Sequence, residues 1–170
     1  MSGKINSTGW FFIGGDMKAK TIVLTLALYF FAAAVCYAQD VQMGTWKLNE
    51  AKSKLAAGVA KNNTVVYEAA GDNVKVTVDG TDRNGKPTHN EWTGKFDGKD
   101  YPVTGDPTSD ARSYKQIGKR TLALTVKKGG KVTVTGRIVT SADGKSRTVT
   151  TRGTDPQGKK FKSTAAYDKQ

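Results

Sequence analysis

"TLALTVKKGGKVTVTGRI", Thr121 to Ile138, decides how the chain folds. Leu122, Leu124 and Val126 recur at every second position with Thr121, Ala123 and Thr125 between them, and a period of two puts the two sets on opposite faces of a strand. Gly129-Gly130 follows, a pair that accepts the positive φ of a tight hairpin turn. Beyond it Val132, Val134 and Ile138 resume the apolar side, while Thr133, Thr135 and Arg137 take the other. The stretch predicts an antiparallel hairpin with one apolar and one wet face.

The same unit repeats in both directions. Glycine turn signals recur at "GDN" 71, "NGK" 84, "DGK" 97, "TGDP" 104, "IGK" 117, "KGGK" 128, "DGK" 143 and "QGK" 157. Between them Val74, Val76 and Val78 alternate with Lys75, Thr77 and Asp79, and Val65, Tyr67 and Ala69 follow the same rule. Near the end Phe161, Ser163, Ala165 and Tyr167 repeat it with smaller residues. Ten strands are expected, beginning near residues 44, 62, 73, 87, 99, 110, 119, 131, 145 and 160. Only "EAKSKLAAGVAK", Glu50 to Lys61, is open to a helix, and to one short helix at most. One-sided strands in meander order must stack as two sheets or close on themselves, and closure removes exposed edges. The expected fold is all-β, an antiparallel up-and-down barrel of about ten strands; a sandwich is the alternative, though no long crossover connection speaks for one.

The first 38 residues are of a different kind. Residues 17–38, "MKAKTIVLTLALYFFAAAVCYA", place Lys18 and Lys20 before eighteen uncharged, mostly apolar residues that end in small ones, the layout of a secretory signal peptide cleaved after Ala38. The alternative is a membrane anchor over residues 21–38, since a helix of that length nearly spans a hydrocarbon core of about 30 Å. Residues 1–16 show no period of two or 3.6 and read as a non-native or disordered extension, with Met17 the expected start. The only cysteine, Cys36, lies in the apolar run, so disulfides do not hold residues 39–170 together, the expected domain. The destination is expected to be periplasmic or extracellular.

The whole chain carries 27 basic and 15 acidic side chains, a net charge of +12. Without residues 1–38, which hold Lys4, Lys18, Lys20 and Asp16, 24 and 14 remain, a net of +10. Such a field favours anionic partners, a surface or polymer among them. Because the lysines are scattered one or two per strand and turn, the preferred reading is a solvated exterior that blunts strand edges.

"GTWKLN", Gly44 to Asn49, and "TAAYDKQ", Thr164 to Gln170, resemble the first and closing strands of fatty-acid-binding proteins, and Gly-x-Trp more loosely those of lipocalins, the two main groups of calycin barrels. With "KFDGKDYPVTGDP" at Lys95 to Pro107, residues 42–170 resemble small exported bacterial lipocalin-like proteins. The resemblance implies a calycin-like barrel in which Trp46 closes one end beneath a basic side chain from the last strand. Residues 160–168 contain no Arg, so Lys162 or Lys160 is the expected lid. Fatty-acid-binding proteins hold the ligand carboxylate with an Arg-x-Tyr on the final strand; here Tyr167 is kept and Ala165 stands for the arginine. The second basic ligand of that family lies before a turn like Asp143-Gly144-Lys145, with Arg137 the nearest match, although its alternation points it outward unless Gly136 bulges. The family's helical portal between the first two strands has only twelve residues here.

Catalytic chemistry is sparse. His89 and Glu91 share a strand face, the start of an acid–base pair for a hydrolase and the weak alternative to a non-enzyme. No cofactor and no metal site is expected, there being a single histidine and one cysteine in the apolar run. Tyr101 and Tyr114 with Lys99, Arg112 and Lys115 form a candidate stacking patch for nucleic acid, a partner the export signal disfavours. The favoured partner is a small hydrophobic or amphipathic ligand held by a monomer. Val76, Val78, Trp92, Phe96, Leu122 and Leu124 are expected to line its cavity with Val134, Ile138 and Phe161, while Tyr167 and Arg137 orient a polar head.

Overall fold

The structure is a computed structural model that describes residues 41–155 and 158–170. The extension and the signal-like run lie outside those residues. Ten antiparallel strands form the described chain: β1 Gly44–Lys54, β2 Lys61–Ala70, β3 Asn73–Thr81, β4 Pro87–Gly94, β5 Tyr101–Thr104, β6 Ala111–Gly118, β7 Thr121–Lys128, β8 Lys131–Thr140, β9 Ser146–Thr154 and β10 Lys160–Lys169. Each begins within two residues of its expected start. They pair in sequence order, and β1 closes on β10 through Trp46↔Lys169 to Asn49↔Ala166, giving a closed up-and-down barrel.

The hairpin that opened the reading forms as its residues require. Gly129 and Gly130 adopt φ of 56° and 74°, which a side chain would resist, and Leu122 pairs with Ile138. One detail differs. The register shifts between Val126 and Lys127, so Val134 faces Val126 while Val132 is turned out and is 54% exposed.

No helix forms among the described residues. Instead β1 continues to Lys54 through an irregularity, pairing Asn49 with Ala166 and Lys54 with Thr164. Two polar side chains build that bulge: Ser53 Oγ donates to the Asn49 carbonyl (2.7 Å) and accepts Ala166 N–H (2.9 Å), while Lys52 N–H donates to Asn49 Oδ1 (3.1 Å). Local side-chain bonds of this kind compete with helix, which explains why the first part of the Glu50–Lys61 stretch, to Lys54, stays extended. β1 and β2 pair only from Gly44↔Tyr67 to Lys47↔Thr64, and beyond that the two strands part. The strap Leu55–Ala60 fills the parting, and Ala56 N–H donates to inward Ser163 Oγ at 3.0 Å.

The weakest seam surrounds four-residue β5, which shares two residue pairs with each neighbour. Trp92 bridges it: the indole Nε1–H donates to the Arg112 carbonyl on β6 at 2.8 Å, tying β4 to β6. The core centres on Trp46, Tyr67, Val74, Val76, Trp92, Tyr114 and Leu122, none more than 3% exposed.

Candidate functional site

The interior divides into two walls. On β2 to β6 the inward column carries Val65, Tyr67, Val74, Val76, Val78, Trp92, Val103 and Tyr114, all buried, and four rings mesh: Trp92 meets Tyr114 edge-on at 4.8 Å between centroids, Phe96 lies parallel to Trp92 at 6.4 Å, and Tyr67 meets Tyr114 at 6.3 Å. Such edge and offset contacts add about 0.5–1.5 kcal/mol each to the burial of the rings. On β7 to β10 the inward column is small or half-buried towards the end where the strap lies: Leu124 and Gly136, then Val149, Thr151 and Ala165, then Val126, Val134, Gly153 and Phe161. These side chains leave the inward face of β7 to β10 less completely covered than that of β2 to β6. Phe161 lies directly opposite Gly153, where an added Cβ would run into the Thr133 carbonyl oxygen and stand 3.1 Å from the Phe161 ring, so the close approach of the neighbouring backbone requires glycine.

Of the residues expected to line a cavity, Val76, Val78 and Trp92 belong to the packed wall, with Phe96 and its ring stacked on Trp92. Leu122 and Ile138 are buried, whereas Leu124, Val134 and Phe161 are half-buried on the open wall. Tyr167 is buried, and its phenol donates to the Asn62 carbonyl at 2.9 Å. Arg137 is exposed on the outer face, opposite Ala123 and Thr150, and takes no part in the interior. Gly136 sits in regular register and does not turn it.

The basic group over Trp46 is not the expected one. Trp46 is fully buried, and its Nε1–H donates to the Gln42 carbonyl at 2.9 Å. Lys160 and Lys162 are exposed at the other end of β10. The lid is Arg147 of β9, whose guanidinium carbon lies 4.6 Å from the Trp46 ring, 4.8 Å from Tyr67 and 5.0 Å from Tyr167, with Lys169 Nζ 5.4 Å from Trp46. Arg147 pairs with Tyr167 across the β9–β10 hairpin, so counting outward from that turn finds it.

Arg147 is also an electrostatic anomaly. It is 3% exposed, and its Nε and Nη1 have no hydrogen-bond partner among the described residues. Three ring faces offset part of the desolvation of the cation, but an unmade charged hydrogen bond in the interior costs more than the ~1–3 kcal/mol of a neutral one. The phenols around it respond to burial: Tyr67 is pushed far above its ordinary value, and Tyr167 is pushed up to about 12, with Arg147 pulling both back. Both therefore remain neutral donors.

The second inward arginine, Arg112, is neutralised. Its Nη2 donates to Asn90 Oδ1 at 3.1 Å and lies 3.8 Å from Asp106. Burial alone would raise the Asp106 carboxyl, but hydrogen bonds from Ser109 and Thr108 hold it below its ordinary value. With Arg112 and Tyr114 both buried, the candidate nucleic-acid patch does not assemble on the surface.

His89 and Glu91 do share the outer face, but each is engaged. His89 Nδ1 lies 2.6 Å from Asp79 Oδ1, and Glu91 Oε1 is 2.6 Å from Lys75 Nζ. The Lys75 hydrogen bond holds Glu91 below the ordinary carboxylate range, away from what a general acid at neutral pH needs. Among the described residues no three His, Cys, Asp or Glu side chains gather as metal ligands.

No protein-family model matches the chain, and no curated protein matches it. Among solved structures, it is similar to a redesigned beta barrel, mFAP1, bound to DFHBI, at 15% identity over 79% of this chain and 98% of that one, with a TM-score of 0.44. EF1p2_mFAP2b bound to DFHBI gives 12% identity, the same coverage and a TM-score of 0.46. The redesigned beta barrel b11L5F_LGL gives 15% identity over 79% and 96% of the two chains, with a TM-score of 0.42.

Proposed function

We propose that this chain is an exported, non-enzymatic barrel that binds a small amphipathic molecule, lipid or fatty-acid-like, with its tail along the open wall and an anionic head at Arg147. The buried guanidinium with two unpartnered nitrogens, Nε and Nη1, carries the reading, because an anionic head supplies the charged acceptor that these N–H groups lack. Val149, Thr151 and Gly153 run up β9 from Arg147 towards the strap, offering a mostly apolar track. Each methylene buried there gains about 0.8 kcal/mol. Tyr167 keeps its proton and flanks the head. Entry requires the strap Leu55–Ala60 to release Ser163. Export rests on residues 17–38, and a mature N-terminus at Gln39 is the expected product.

A fluorescent fatty-acid analogue should gain emission on mixing and lose it when a non-fluorescent fatty acid is added. No gain with any lipid class would overturn the reading. A second reading, a filled basic barrel that adheres to anionic envelope polymers, is favoured by one observation: the rings of Trp92, Phe96, Tyr114 and Tyr67 occupy the space between the walls on one side. Under it, the analogue stays dark and the protein is retained on a polyanion column.

A further inference from the structure

Six of the cations that look scattered along the sequence stand together around two neighbouring turns at one end of the barrel. Lys128 and Lys131 flank the β7–β8 turn, and Arg152, Lys159, Lys160 and Lys162 surround the neighbouring β9–β10 turn, all exposed. None of the six forms an ion pair among the described residues. Two carboxylates share this rim, and each accepts a turn N–H: Asp110 from Gly129 at 2.7 Å and Asp155 from Lys159 at 2.8 Å. Arg152 and Lys162 stand directly opposite one another on the outer face. Like charges in that register repel, and an external anion removes the repulsion. Beside them an open depression of about 610 Å³ is lined by Val132, Thr135, Arg152, Lys160, Phe161 and Lys162.

We propose that this rim docks on an anionic lipid bilayer. The apolar component selects that partner over a soluble polyanion. The register shift in the β7–β8 hairpin turns Val132 outward beside Lys131, so an exposed β-branched side chain projects from within a ring of cations. A bilayer surface accepts both features at once: lysines reach phosphates while the apolar side chain enters the head-group boundary. A dissolved polymer satisfies only the charges, and Phe161 is the one ring in the depression on which a sugar could stack. The proposal needs no ligand in the barrel, although the depression meets the open wall at Gly153 and Phe161.

The test is co-sedimentation of the protein as isolated with vesicles of phosphatidylcholine alone, or with phosphatidylglycerol as about a third of the lipid. The apolar run at 21–38, where retained, is common to all variants, so differences between variants report the rim. Binding is expected only to the anionic vesicles and should weaken as salt rises. The triple reversal Arg152→Glu, Lys160→Glu, Lys162→Glu should weaken it by at least about 100-fold, from roughly fivefold per cation removed. The control reversal Lys47→Glu, Lys95→Glu, Lys145→Glu changes net charge equally at the other end and should cost no more than about fivefold. Val132→Asp, a single change at an exposed position near the start of β8, should weaken binding by at least about tenfold. The proposal is overturned if the control weakens binding as much as the rim reversal, if zwitterionic vesicles bind equally, or if Val132→Asp changes nothing.

Discussion

The wall formed by β2 to β6 and the wall formed by β7 to β10 obey the same alternation, yet they use it differently. The first fills its inward positions with valines and rings that exclude water. The second places Gly136, Thr151, Gly153 and Ala165 inward, and its larger side chains near the strap remain half-buried. Period-two patterning fixes which way a residue points, and only side-chain volume decides whether the space it points into is occupied. Stability should therefore be concentrated in one wall and room for a ligand in the other.

Truncation should separate the walls by the widest margin. Trp92→Ala removes a buried ring and leaves the Arg112 carbonyl unpaired, a loss of about 3–5 kcal/mol, whereas Leu124→Ala on the open wall should cost less than about 2 kcal/mol. Urea unfolding measures both, and equal losses would erase the distinction. Alkaline titration follows in size. Burial raises the Tyr67 and Tyr167 phenols above the ordinary 10.0, so their share of stability is complete below pH 10; that of Tyr167 is lost as pH rises through about 12, and that of Tyr67 at still higher pH. An unfolding midpoint that stays level from pH 9 to 12 would show that these rings are not buried as described. Filling the open wall comes next: Ala165→Phe should abolish emission from the fatty-acid analogue while costing about 1–3 kcal/mol of stability. Retained emission would put the probe elsewhere. His89→Ala should have the smallest effect, under about 1 kcal/mol, because its Asp79 and Glu91 partners lie on an exposed face. A larger loss would give that cluster a role beyond the surface.

The barrel was legible because its evidence is local. Gly129-Gly130 and its counterparts punctuate the chain, and alternation assigns each face, so strand starts and order follow from residues within a few positions of each other. Val132 escaped because one extra residue in the β7–β8 register reverses a face without leaving a mark in the pattern. The extended run to Lys54 escaped because Asn49 and Ser53 act through side chains that composition does not distinguish from those of a short helix. Arg147 was within reach: it falls opposite Tyr167 once the β9–β10 hairpin is counted back from its turn, but a search confined to the last strand passes it by. The gathering of lysines at one rim depends on which turns share an end of the barrel, and that requires closure of the whole sheet.

The head-group claim at Arg147 is tested most directly by calorimetric titration with a medium-chain carboxylate and with the alcohol of equal chain length, for the wild type and for Arg147→Met. The wild type should bind the carboxylate at least about tenfold more tightly, about 1.4 kcal/mol, and the variant should bind the two alike. Equal affinities in the wild type, or a preference that survives the loss of the guanidinium, would contradict the account.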